Sequence, residues 1–163
     1  MKIRLYENLD KNDMIILIGK FRVRLSKLKG IEKKPDLNSA KKELEFYIKK
    51  KYPIYIAEDE NNRIIGYHVC RVEDNIVWSE SLYVTPKMRR KGIGSKLYEE
   101  AEKLVTKLGS ETVYNWVHPN NDMSIQFLKK RGYDVLNLIE IRKKRPDEKF
   151  TQEIKVGNYE FNY

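Results

Sequence analysis

The sequence predicts a mixed α/β domain, with antiparallel strands first and a β-α-β-α-β half second. Three observations predict it. PIYIAED, RIIGYHVCRV and IVWSESLYV are apolar, β-branched or aromatic segments separated only by the turn sequences ENNR and EDN, which reads as a meander. Two helical patterns precede them. After IVWSESLYV, strand and helix patterns alternate to residue 142.

Each element has a local reason. KIRLYEN alternates polar and apolar residues and reads as a short strand. Asp13 is placed to cap a helix with Met14, Leu17, Ile18, Phe21, Leu25 and Leu28 at helical spacing, and Gly30 ends it. KGIEKKPDL is a loop. A second helix starts near Asn38 or Ser39, presents Ala40, Leu44, Tyr47 and Ile48, and stops before Pro53. After the meander, a helix turns Ile93, Leu97, Ala101, Leu104, Val105 and Leu108 inward and closes at Gly109. ETVYNWV is a strand, and HPNNDMS opens a short helix that ends at Gly132. YDVLNLIEIR reads as a long strand. The tail, KFTQEIKVGNYEFNY, reads as a hairpin around Gly157-Asn158. Its Tyr159, Phe161 and Tyr163 need cover from the body or from a second subunit, which suggests a homodimer. The domain spans residues 1–143 and the tail 144–163.

Composition narrows the class. The 163 residues are 40% hydrophobic and 35% charged, as in a folded globular chain. No apolar run is long enough to span a membrane, and MKIRLYENLD lacks the apolar stretch of a signal peptide. Cys70 is the single cysteine, so no internal disulfide forms. A cytoplasmic location is expected. The net charge of +9 favours anionic partners, although many lysines face glutamates along helices and serve solubility.

The most informative stretch is VTPKMRRKGIGS. Val84 ends a strand and Ile93 begins a helix, so Arg90, Lys91, Gly92, Ile93 and Gly94 form the turn. The amides of a helix start converge on one positive spot, and glycine lets the backbone approach a bulky anion. Arg89, Arg90 and Lys91 add charge at the rim. A phosphate site follows. The spacing fits neither GxxxxGK[ST] nor a dinucleotide fingerprint, since Leu97 stands where a third glycine would be.

SLYVTPKMRRKGIGSKLYEEA resembles motif A of the GNAT superfamily of acyl-CoA-dependent N-acetyltransferases, whose R/Q-x-x-G-x-G/A follows a strand ending in V-x-P. Arg89, Gly92 and Gly94 fill it. VHPNNDMSIQFLKKRGYDVL resembles the family's motif B, with Asn121 opening a helix and Gly132-Tyr133 closing it. The resemblance covers residues 1 to about 143.

The resemblance implies a GNAT-type fold in which IVWSESLYV and ETVYNWV are parallel, splayed central strands with flanking helices. It implies acetyl-CoA as co-substrate, with no metal. Backbone amides from Arg90 through Lys91, Gly92, Ile93 and Gly94 to Ser95 would cradle the pyrophosphate. The pantetheine arm would lie along Leu82, Tyr83 and Val84, with Asn121 and Leu128 facing it.

Acetyl transfer needs a base and a way for the thiolate to leave. Glu80 is the candidate base, since alternation along IVWSESLYV sets it with Ile76, Trp78, Leu82 and Val84. A backbone amide near Leu82 would polarise the thioester. Many relatives carry a Tyr where this chain has Leu128, so either Tyr133 or water would protonate the sulfur or the thiolate would leave unaided. His68 and Cys70 share a strand face and read as core rather than as a nucleophile pair. His118 reads as a loop residue or a second base. One cysteine and two separated histidines make no zinc site.

In the family the acceptor enters between the loop joining the first two helices and the loop after the long late strand. Here these are KGIEKKPDL and KKRPDEK, both net basic. A polyamine would be repelled, and a peptide α-amine or small metabolite would be accommodated. Two rival readings are a non-catalytic acyl-CoA-binding regulator and a basic nucleic-acid-binding protein. The chain has no RNA-binding motif.

Overall fold

The alternating segments pair as the sequence predicts, into one mixed sheet. The computed structural model describes residues 1–150 and 152–163; Thr151, in the tail, lies outside the described residues. Strands β1 (Lys2–Leu5), β2 (Ile54–Glu58), β3 (Ile64–Glu73), β4 (Ile76–Val84) and β5 (Val113–Asn115) lie side by side in that order. β1 to β4 pair antiparallel, and β4 pairs parallel with β5. Asp74 and Asn75, with φ of 51° and 63°, make the tight turn between β3 and β4. The helices are α1 (Lys11–Leu28), α2 (Leu37–Lys49), α3 (Ile93–Leu108) and α4 (Asp122–Lys129). Contacts divide the chain into two compact units, Met1–Trp116 and Val117–Tyr163.

The first unit buries both faces of the sheet. On one face, Met14, Leu17 and Ile18 of α1 and Ala40, Leu44 and Tyr47 of α2 pack on Ile56, Tyr67, Val69 and Tyr83. On the other, Ile93 and Leu97 of α3 pack on Ala57 and Ile65, with Leu82 and Val84 partly buried against them. Gly66 of β3 sits at the tightest point. A Cβ there would lie 2.9 Å from the Tyr83 carbonyl oxygen, 3.2 Å from Val84 Cγ2 and 3.3 Å from Leu97 Cδ1.

Two helix starts differ from expectation. α1 begins at Lys11, after a short 3-10 turn over Asn8–Asp10, and Asp13 does not cap it. The Asp10 carboxylate is 3% exposed. It accepts the Glu7 amide at 2.8 Å and two Arg4 guanidinium bonds at 2.8 and 2.9 Å. Burial pushes the Asp10 carboxyl up, but those hydrogen bonds outweigh it and hold it below the usual range. α2 starts at Leu37, ahead of the start expected near Asn38 or Ser39, because the Asp36 carboxylate caps it by reaching both the Ser39 amide (3.0 Å) and hydroxyl (2.7 Å). Ile48, expected inward on α2, is 42% exposed.

The second unit contains α4 and the hairpin of β6 (Glu153–Val156) with β7 (Tyr159–Asn162), turned at Gly157 (φ 60°). α4 starts at Asn121, whose side chain accepts the Ser124 amide. It ends with Gly132 at φ 86°, the Tyr133 amide bonding the Leu128 carbonyl and the Gly132 amide bonding that of Lys129. The long strand expected over YDVLNLIEIR does not form. Residues 134–141 have no regular structure, and Val135, Leu136 and Leu138 are 86%, 72% and 77% exposed. The adjacent pairs Val135-Leu136 and Leu138-Ile139 break the period-two alternation, so neither face of a strand there would be uniformly apolar.

Candidate active site

β4 carries an extra residue. Val69 pairs with Ser81, but Cys70 pairs with Ser79, so Glu80 is left over as a bulge. The bulge changes which way the strand faces. Before it, Trp78 lies opposite Arg71; after it, Leu82 and Val84 turn to the α3 face and Tyr83 to the α1–α2 face. The expectation that Glu80 shares one apolar face with Ile76, Trp78, Leu82 and Val84 is therefore corrected. Its carboxylate stands instead 3.5 Å from Arg71 Nε, with its side chain 26% exposed.

The same point is where two strands part. β5 pairs with β4 only at Val77–Val113, Trp78–Tyr114 and Ser79–Asn115. β4 then runs on to Val84 with no strand partner on that side among the described residues. The Thr85 amide bonds the Ile65 carbonyl, which is on the β3 side. Alternation therefore directs the backbone groups of Leu82 and Val84 to the open edge. The Val84 carbonyl there accepts Arg89 Nε at 2.9 Å.

The loop from Val84 to α3 has the demands that the glycines announced. Arg90 (φ 59°) and Gly92 (φ 76°) are both left-handed. A Cβ on Gly92 would meet nothing within 4 Å, so the backbone borders open space. Asp36 and Asn121 cap α2 and α4 with side chains; α3 starts at Gly92 with no capping side chain. Its first intrahelical bond is from the Lys96 amide to the Gly92 carbonyl, so the amides of Ile93, Gly94 and Ser95 have no partner within the helix. Left-handed residues followed by unpaired amides at a helix start make a concave backbone of the kind that can hold an anion. A cleft of about 350 Å³ lies beside it, with Met88, Lys91, Ile93 and Arg63 in its wall.

Residues 24–133 match the acetyltransferase (GNAT) family. The chain belongs to that family. It is similar to YwnH of Bacillus subtilis (strain 168), a candidate phosphinothricin acetyltransferase, at 29% identity over 86 residues. That match covers 50% of this chain and 53% of YwnH, so the chain spans about half the length of this curated relative. Solved structures share the GNAT fold at lower identity. The aminoglycoside 6′-N-acetyltransferase AAC(6′)-Ig from Acinetobacter haemolyticus superposes with a TM-score of 0.70 at 18% identity, covering 90% of this chain and all of that one. AAC(6′)-Iy in complex with a bisubstrate analogue, CoA-S-monomethyl-acetylneamine, gives 0.67 at 17% identity, covering 88% and 97%.

Within this GNAT fold the expected residues fall into groups. Glu80, Leu82, Tyr83, Val84 and the loop from Arg89 to Ser95 lie in the first unit, along one strand and the turn that follows it. Arg89 braces the turn, through its bond to Val84 and its guanidinium 5.6 Å from the Tyr83 ring centre. Tyr83 itself is buried toward α1, away from the open edge. Asn121, Leu128 and Tyr133 lie in the second unit, where Asn121 caps α4, Leu128 is buried and the Tyr133 amide closes the helix.

The histidines are both tied. His68 is fully buried, its Nδ1 donating to the Leu97 carbonyl (3.1 Å) and its Nε2 accepting the Ser79 hydroxyl (2.9 Å). That arrangement sets one neutral tautomer, and burial pushes its pKa down to about 4. Burial also pushes the Cys70 thiol up to about 12, which leaves it without thiolate character. His118 Nδ1 accepts the Asn120 amide at 3.1 Å. Among the described residues, no group of three or more His, Cys, Asp or Glu side chains could hold a metal ion, and no helix is long and apolar enough to cross a membrane.

Sequence reading missed a second layer of residues. Tyr98 of α3 is fully buried, stacks on His68 with ring centres 5.4 Å apart, and donates to Asn115 Oδ1 at 3.0 Å. Arg71 lies 4.8 Å from the ring centre of Trp78 and 4.5 Å from that of Trp116. A charged residue inside an otherwise apolar strand, Arg71 in RIIGYHVCRV, was the available signal.

Proposed function

We propose that this chain transfers the acetyl group of acetyl-CoA to a primary amine by direct attack in a ternary complex, with a peptide α-amine or small metabolite as acceptor. The carrying observation is the uncapped start of α3, with its left-handed Arg90 and Gly92. A diphosphate there accepts the amides that α3 leaves without partners, and Arg90 and Lys91 add positive charge. The pantetheine arm extends along the open edge of β4, bonding Leu82 and Val84 as an added strand would.

That route brings the thioester to the point where β4 leaves β5, which is the position of Glu80. The amine attacks the thioester carbonyl carbon, the C–N bond forms, and the C–S bond breaks to release the CoA thiolate. Glu80 takes the amine's proton through a water, and the Leu82 amide steadies the carbonyl oxygen. GNAT relatives named for aminoglycosides and phosphinothricin support an amine acceptor.

Calorimetry tests the coenzyme site. Wild-type protein should take up CoA at one site, and Gly92→Ala should weaken it by about tenfold or more, because a side chain at φ 76° strains the nest. No uptake by folded wild-type protein would end this reading.

A further inference from the structure

The cluster beside the strand fork holds a cation, Arg71, between two carboxylates and two indole rings. Arg71 Nε is buried and has no hydrogen-bond partner among the described residues. Two carboxylates form ion pairs with it, Glu80 3.5 Å from Nε and Glu73 3.7 Å from Nη1. Glu73 also accepts the Tyr52 hydroxyl at 3.0 Å. The guanidinium is held between elements, packed on Trp78 of β4 and on Trp116, the residue just after β5. Its side chain keeps 17% exposure, and Trp116 is 66% exposed.

Two indole contacts restrict the rotation of a long side chain and so reduce the entropy lost on binding. A planar fork held in this way suits a planar carboxylate bound through two parallel bonds. Glu80 stands next to it with the opposite charge. Adjacent opposite charges match a ligand whose ammonium and carboxylate sit on one carbon. The exposed Trp116 face offers an apolar platform for the rest of such a ligand.

We propose that Arg71 is the specificity-determining residue of the acceptor site, and that the acceptor is a free α-amino acid with an apolar or aromatic side chain. Its carboxylate docks on the Arg71 guanidinium, its amine lies at Glu80, and its side chain rests on Trp116. This inference rests on the proposed acetyl transfer at Glu80, and it narrows the acceptor from amines in general to amines that carry an adjacent carboxylate.

The test compares phenylalanine with phenylalaninamide, in which a neutral carboxamide of nearly the same shape replaces the carboxylate. The amide's amine is less basic and more available at neutral pH, so a preference for the acid reports recognition of the carboxylate. Wild-type protein should show kcat/KM about 10- to 100-fold higher for the acid. In Arg71→Gln the ratio should fall to within about threefold, with the KM for acetyl-CoA unchanged. Arg71→Lys, which keeps the charge and loses the fork, should fall between. Equal use of acid and amide by wild-type protein overturns the inference while leaving amine acetylation standing, as does a preference that survives in Arg71→Gln. No transfer to any amine, with or without a carboxylate, overturns both. The wild-type comparison needs no variant and holds even if Arg71→Gln fails to fold.

Discussion

The His68 imidazole lies nearly parallel to the Tyr98 phenol, 15° between planes and 5.4 Å between centres, in the layer where α3 meets β3. Each ring is anchored at its far end, His68 to Ser79 and Tyr98 to Asn115. Ser79 and Asn115 are themselves the last pair joining β4 to β5. The stack therefore supports the fork from beneath, and it does so with an uncharged histidine.

That neutrality gives the fold an acid dependence. His68 has its pKa held near 4 by burial, against an ordinary value of 6.5. Between those values the unfolded chain binds a proton that the folded chain refuses, so stability rises with pH from about 4 to 6.5 and falls on acidification through that window. From pH 7 to pH 5 the loss should be roughly 2 kcal/mol. Urea unfolding at the two pH values should show it, and His68→Gln should remove most of the difference. A wild-type midpoint that does not move over this range contradicts a buried neutral imidazole.

Gly66 should not tolerate a methyl group. The added Cβ presses on the Tyr83 carbonyl, which is backbone and cannot rotate away, and on Val84 and Leu97, which hold β4 against α3. Gly66→Ala should cost about 1–3 kcal/mol, read as a lower thermal midpoint. The strain falls beside the open edge of β4, so coenzyme affinity should fall with it. Unchanged stability would show that the β3–β4 contact is looser than these distances state.

Glu80→Gln separates chemistry from binding. The amide keeps the size of the side chain and cannot take a proton. The kcat for acetyl transfer should fall by about 10²- to 10⁴-fold while CoA affinity stays within twofold or so. The deficit should shrink at high pH, where the acceptor amine is already neutral. Full activity in the variant would assign the base elsewhere and leave Glu80 as a partner of Arg71 alone.

What was legible in the sequence was whatever depends on neighbours along the chain. Alternation set the meander, helical spacing set the faces of α1 and α3, and the turn before α3 announced itself because left-handed backbone selects glycine. Arg90 takes the same conformation without that label, and only its φ of 59° reveals it. Even locally a cap was missed: Asp36 reaches two Ser39 donors and starts α2 at Leu37, ahead of the start expected near Asn38 or Ser39.

What tertiary structure decided was register and convergence. Whether Glu80 faces the α3 layer or Arg71 depends on one unpaired residue in β4, and the pairing with β3, distant in no obvious pattern from the strand itself, sets that bulge. Arg71, Trp78 and Trp116 come from β3, β4 and the residue past β5, and nothing in their spacing along the chain brings them together. The sequence by itself determined the family, the order of elements as far as α4 and the glycine turn before α3, since those follow from short-range geometry. The surroundings of Glu80 were decided by a one-residue slip between strands, because side-chain direction in a sheet reverses with every residue.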